Sequence, residues 1–165
     1  VPRLLQAYAV ARQRYGLRHQ LVLAGQPGWR AEAVEEQVSR LGLDENVRRV
    51  GYVPEEEVQA LLCGATALVL PSLYEGFGLP ALEAMACGTP VIASSVSSLP
   101  EVVGDAGRLL NPCDVESWAA TMSELSESES LRANLRERGL RRAASFTWER
   151  CAHETYAVLA AAARS

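Results

Sequence analysis

The sequence predicts a doubly wound α/β fold, a parallel sheet with helices on both faces, from three observations. Short apolar runs alternate with amphipathic stretches, the connections between them are short, and two of the runs are apolar almost throughout, as strands covered on both faces are. The span from Pro2 to Arg14 reads as a helix: Leu4, Leu5, Tyr8, Ala11 and then Tyr15 recur at three- and four-residue spacing, and Gly16 closes the pattern. His19 to Ala24 is a β-type run ending in the turn Gly25-Gln26-Pro27-Gly28, and a second helical pattern runs from Trp29 to Leu41 and stops at Gly42. Val47 to Val53 is the next strand. Pro54 with Glu55, Glu56 and Glu57 starts a helix, because carboxylates in a first turn face the positive end of the helix dipole; it runs to Cys63-Gly64.

Ala65 to Leu70 reads as a central strand, Pro71 to Leu79 as a loop, and Pro80 to Ala86 as a helix stopped by Gly88. Pro90 to Ala93 is a second buried strand. A serine-rich loop, a short helix near Leu99 to Val102 and a strand near Gly107 to Leu110 follow. Three helices, starting near Asp114, Ser128 and Thr147, finish the chain, and Asp114 and Thr147 are the expected N-caps. Ligands of such sheets sit beyond the C-terminal ends of the strands, which is where the loop Pro71–Leu79 lies.

Composition narrows the function classes. With 165 residues, 48% of them apolar and 22% charged, the chain has the profile of one globular domain spanning residues 1–165. Its longest apolar stretches are far shorter than the roughly 18 residues of a membrane span. The net charge of −4 comes without a long basic run, so nucleic acid is not an expected partner. The four cysteines form no C-x-x-C pair and His19 and His153 stand far apart, so no metal site is expected; a reducing cytoplasm is the natural setting. The start Val1-Pro2-Arg3-Leu4 has neither an initiator Met nor a signal pattern and reads as a cut inside a longer chain.

The chemistry concentrates in Glu75-Gly76-Phe77-Gly78-Leu79-Pro80. This run leads straight into a helix, so the backbone N–H groups at Gly78 and Leu79 would form an anion site strengthened by the helix dipole. Glycine at 76 and 78 lets a ligand approach the backbone. The dinucleotide fingerprint is not completed, since Ala81 stands at its last position, and a Walker lysine is missing, so no organic cofactor is expected. Glu75 and Glu83 bracket the loop and should face one cleft. A carboxylate at each end of an anion site suits a ligand with hydroxyls on either side of a phosphate, which is the layout of a sugar nucleotide.

The run from Pro71 through Glu75-Gly76-Phe77-Gly78-Leu79-Pro80-Ala81-Leu82-Glu83 to Cys87-Gly88-Thr89-Pro90-Val91-Ile92-Ala93 resembles the E-x7-E region of family 4 (group 1) retaining glycosyltransferases. The resemblance extends through Leu21–Gly25, Gly51–Pro54 and Leu99–Val103, so it covers essentially the whole chain. It implies the C-terminal, Rossmann-like donor half of a GT-B fold, with the acceptor half and the domain's first strand lying outside this sequence. It implies further that Glu75 is the catalytic-site carboxylate binding hydroxyls of the donor hexose, and that Gly76, Phe77, Gly78 and Leu79 hold sugar and diphosphate. Glu83 would bind the ribose, and Gly25, Tyr52 and Val53 would line the base pocket. Transfer in the family retains configuration and needs no D-x-D-bound metal, and this chain has no D-x-D. The look of the loop resembles mannosyltransferases using GDP-mannose. A glycan or lipid-linked acceptor would be held by the other half, with the full protein able to lie on the inner face of the membrane.

The basic pair that neutralises the diphosphate in the family precedes the first helix and is not in this sequence, and Arg3 is not assigned that role. Two other readings stay open: a module that binds a nucleotide sugar without turnover, and a GT-B relative such as a sugar-nucleotide epimerase. The epimerase would call for acid-base histidines near the cleft.

Overall fold

The computed structural model describes residues 1–26 and 31–164. Its elements are α1 (Pro2–Tyr15), β1 (Leu21–Ala24), α2 (Ala31–Arg40), β2 (Val47–Gly51), α3 (Glu55–Gly64), β3 (Leu68–Leu70) and α4 (Leu79–Ala86). They continue with β4 (Val91–Ser94), α5 (Leu99–Val103), a 3-10 turn (Gly104–Ala106), β5 (Arg108–Leu110), α6 (Val115–Glu127), α7 (Glu129–Ala143) and α8 (Trp148–Ala162). Every predicted element is present. β1 and β2 are each two residues shorter than their predicted runs, because His19, Gln20, Tyr52 and Val53 lie beyond their pairing; β3 and β5 are shorter by three and one, and β4 is shifted by one residue at equal length. The turn residues Pro27 and Gly28, and Trp29 at the start of the predicted second helix, lie outside the described residues.

Local chemistry sets the helix ends. α1 carries Pro2 in its first turn and ends at Gly16 with φ 71°, where the Gly16 N–H donates to the Ala11 carbonyl. The last three helices are capped by side chains: Asp114 accepts from the Ser117 N–H, Ser128 from Leu131 and Thr147 from Arg150. Ser128, which the sequence pattern does not single out, caps as well as its neighbours do.

The Asp114 carboxylate also accepts from the Ser117 hydroxyl, and these bonds hold its pKa below the usual carboxylate value. A carboxylate with a lowered folded-state pKa stabilises the fold above its unfolded value and loses that contribution as pH falls through the folded one. Asp114→Asn, which keeps an acceptor but cannot titrate, is therefore expected to flatten part of the loss of melting temperature below about pH 4. Thermal melts of both proteins across pH 2–6 check it.

All strand pairs are parallel, but they fall into two sheets: β1 with β2, and β3-β4-β5 in that order. β4, apolar and central, is wholly buried. Helices pack on both faces. Tyr8, Leu5, Trp118 and Leu125 from α1 and α6 build one cluster, in which the Trp118 indole N–H donates to the Asn111 carbonyl at 2.9 Å. Met85, Leu99, Val102 and Val103 from α4 and α5 build the other. α7 lies against α4, where Gly139 sits on Met85: an added Cβ would meet Met85 Cγ at 3.4 Å.

The division into two sheets departs from the single sheet that strand alternation predicts, and its cause is visible. β1 and β3 each have one unpaired edge, and both strands line one cavity of about 850 Å³, with Tyr8 and Met122 on one side and Leu61 and Leu62 on the other. Leu68, Val69 and Leu70 are consequently half-buried rather than covered on both sides as Ala65 to Leu70 suggests. In a doubly wound sheet of order 3-2-1-4-5-6 the first strand runs between the second and the fourth. The orders β2-β1 and β3-β4-β5 match the two outer parts of that arrangement, and the cavity lies between β1 and β3.

α8 departs from expectation too. Its sequence is amphipathic, yet none of its residues is buried, and Trp148 and Tyr156 are 83% and 73% exposed. His153 therefore stands on an exposed helix. No helix among the described residues is long and apolar enough to cross a membrane.

Candidate functional site

The C-terminal ends of the parallel strands gather the candidate residues. β1 is followed by Gly25, with φ 129°, whose N–H donates to the Gly51 carbonyl at 2.8 Å; this tie sets Tyr52 and Val53, just after β2, beside Gly25. Across the cavity mouth stand Ser72, after β3, and Pro80 and Glu83 on α4. Gly25, Tyr52, Val53 and Glu83 thus share one lining. Tyr52 is 65% exposed, so its ring is a free face at that mouth rather than a core strand aromatic.

Glu83 lies in the second turn of α4 and is exposed, and its carboxylate makes neither hydrogen bond nor ion pair with any described residue. A carboxylate left without a partner beside an apolar cavity is an acceptor open to ligand hydroxyls. At the start of α4, Gly78 takes φ 98°, and the N–H groups of Gly78 and Leu79 donate to no acceptor among the described residues. Free amides of this kind, together with the helix dipole, are suited to an anion. Glycine is demanded twice at position 78: its φ is one that side chains resist, and a Cβ there would meet Leu99 Cδ2 at 2.8 Å.

Glu75, Gly76 and Phe77, on the loop, and Leu79, the first residue of α4, lie beside the cavity and outside its lining. Glu75 is half-buried, and the Ser72 hydroxyl donates to its Oε1 at 2.6 Å, so its other carboxylate oxygen is the open acceptor. Phe77, 44% exposed, is no core residue; its ring meets Phe146 edge-on at 6.0 Å, which pins the loop to the turn between α7 and α8. The structure brings Glu83 and the base-pocket candidates to one cavity and sets Glu75 on the adjoining loop.

Residues that the motif did not single out also belong to this edge. Ser97 and Ser98, after β4, hydrogen-bond the backbone of Glu75 and Phe77. The signal for them is the run of serines from Ser94 to Ser98, at the same sheet edge as the Glu75 loop. Cys87, by contrast, ends α4, where burial and the neighbouring Cys63 thiol push its pKa up and keep it protonated. Among the described residues no group of three His, Cys, Asp or Glu side chains could hold a metal ion.

The chain's sequence and fold both have known counterparts. It is 43% identical over 152 residues to the O-antigen chain mannosyltransferase B of Escherichia coli, an alignment covering 92% of this chain and 40% of that protein. It is 40% identical over 162 residues to the MMP alpha-(1->4)-mannosyltransferase of Mycolicibacterium hassiacum, covering 96% of this chain and 39% of that protein. The chain thus spans about two-fifths of the length of these curated relatives. Among solved structures it matches sucrose-phosphate synthase from Thermosynechococcus elongatus with a TM-score of 0.82 at 31% identity, covering 97% of this chain and 42% of that one. It matches the C-terminal domain of a glycosyl transferase group 1 family protein from Francisella tularensis with a TM-score of 0.76 at 26% identity, covering 87% and 77%. The fold is that of the C-terminal domain of GT-B glycosyltransferases. The family profile described as "Glycosyl transferases group 1" matches residues 1–142, and the chain belongs to that family.

Proposed function

We propose that this chain is the donor-binding half of a retaining mannosyltransferase, which takes a mannosyl group from GDP-mannose to a glycan or lipid-linked acceptor held by a second domain. The observation that carries the reading is the pairing of an unpartnered Glu83 at the cavity mouth with a Glu75 that offers one open oxygen on the adjoining loop. The mannosyltransferases among its relatives support the choice of sugar.

In this reading Glu83 accepts from the ribose hydroxyls, and the Gly78 and Leu79 amides meet the diphosphate. Glu75 accepts from hexose hydroxyls, which orients the anomeric carbon toward the acceptor. Gly25, Tyr52 and Val53 border the base, and Tyr52 offers an exposed ring on which it can stack. The leaving diphosphate, held at the α4 N-terminus, is stabilised as negative charge grows on it, which is where preorganised amides act most strongly. No metal is assigned to this step. The epimerase reading is not favoured: His19 lines the cavity only where β1 begins, at the far end of that strand from Gly25, and His153 stands on the exposed α8.

The test is the product of the longer protein supplied with GDP-mannose or UDP-glucose and an acceptor. The expected outcome is mannosyl transfer whose new linkage keeps the donor's anomeric configuration by NMR. An inverted linkage, or transfer from UDP-glucose alone, would count against the assignment.

A further inference from the structure

Two serines after β4 behave unlike ordinary loop and cap residues. Ser97 is the one non-glycine among the described residues in the left-handed region, with φ 51°. Ser98 stands at the N-cap of α5, where a serine hydroxyl normally accepts from a first-turn amide, yet it makes no such cap. Both hydroxyls turn instead to the loop after β3. The Glu75 N–H donates to Ser97 Oγ at 2.9 Å. Ser98 Oγ stands 3.1 Å from the Glu75 carbonyl and 2.9 Å from that of Phe77. With Ser72 on the carboxylate, Glu75 is held at its amide, its carbonyl and its Oε1.

A residue keeps an unfavourable backbone conformation only where its surroundings impose it, and such residues concentrate at functional sites. A glycine at 97 would relieve the conformation but would lack the hydroxyl. A capping Ser98 would serve α5 but leave the Glu75 and Phe77 carbonyls without its donor. Both departures favour the same neighbour. We propose that Ser97 and Ser98 are positioning residues for Glu75: their hydroxyls fix the loop backbone so that the carboxylate oxygen not taken by Ser72 faces the donor sugar. The ligand in this statement rests on the proposed function; the bracing of Glu75 does not.

The experiment measures hydrogen exchange at the Glu75 amide by NMR, and GDP-mannose affinity by calorimetry, in the parent chain and in Ser97→Ala, Ser97→Gly, Ser98→Ala and Ser98→Thr. Loss of one hydrogen bond is expected to speed Glu75 exchange about tenfold in both Ser97 variants, with β4 amides unchanged. Ser98→Ala is expected to weaken donor binding about tenfold, and Ser98→Thr, which keeps a hydroxyl at an ordinary φ of −76°, to restore it. Ser97→Gly separates the two roles, since a serine needed only for backbone shape would be replaced by glycine without loss. Glu75 exchange in Ser97→Gly as slow as in the parent would overturn the proposal. If no protein binds donor, parent included, while the Ser97 variants still speed Glu75 exchange, the bracing stands and the donor reading falls.

Discussion

Glu83→Ala is expected to weaken binding of GDP and GDP-mannose about 100-fold while leaving the melting temperature unchanged. Hydrogen bonds to a charged group contribute about 1.5–3 kcal/mol each, and a carboxylate spanning two ribose hydroxyls makes two of them. The fold does not depend on the Glu83 side chain, which is exposed and makes no hydrogen bond or ion pair with a described residue, and alanine is a good helix former. Glu83→Gln keeps the acceptor oxygen without the charge and is expected to fall in between, at about a tenfold loss. Calorimetry with GDP and GDP-mannose, beside a thermal melt, reads both arms. An unchanged affinity in Glu83→Ala would remove ribose recognition from this helix.

Gly107→Ala is the largest stability effect expected. Gly107 has φ −145°, an extended conformation open to any residue, so the demand on it is steric. An added Cβ would lie 2.8 Å from the Val91 carbonyl oxygen and 2.6 Å from Val103 Cγ1. The first of these is backbone of the central β4, which cannot yield without moving the strand that carries the Ser95–Ser98 loop. Overpacking of this kind costs about 3 kcal/mol. At about 2–4 °C per kcal/mol for a chain of this size, the melting temperature should drop by about 6–12 °C. Gly64→Ala is the control. Nothing lies within 4 Å of a Cβ there, and alanine at the end of α3 is expected to be neutral or slightly stabilising. Equal melting temperatures for the two variants would contradict the close contact at Gly107.

What was legible in the sequence was mostly what neighbouring residues decide. The apolar Val91-Ile92-Ala93 run is buried as its composition requires, and Asp114 and Thr147 cap their helices as their positions suggest. The Glu75–Gly78 segment sits between a strand end and a helix start, which fixes where its amides point. What composition could not show is set by distant partners. The residues of β3 read as a doubly covered strand, but their exposure depends on whether a neighbour fills the place beside β1. α8 is an amphipathic helix in sequence, and its lack of any buried residue is set by the fold around it rather than by that pattern. Ser97 and Ser98 stand 22 and 23 residues from the Glu75 groups they meet, so their part in the site became visible only with the loops after β3 and β4 in place.

The most direct test of the donor-site assignment is calorimetric titration of this chain, alone and joined to the proposed acceptor domain, with GDP, UDP, GDP-mannose and UDP-glucose. The account predicts saturable binding of GDP and GDP-mannose, stronger than that of the uridine pair. Absence of saturable binding to all four in both proteins would contradict it.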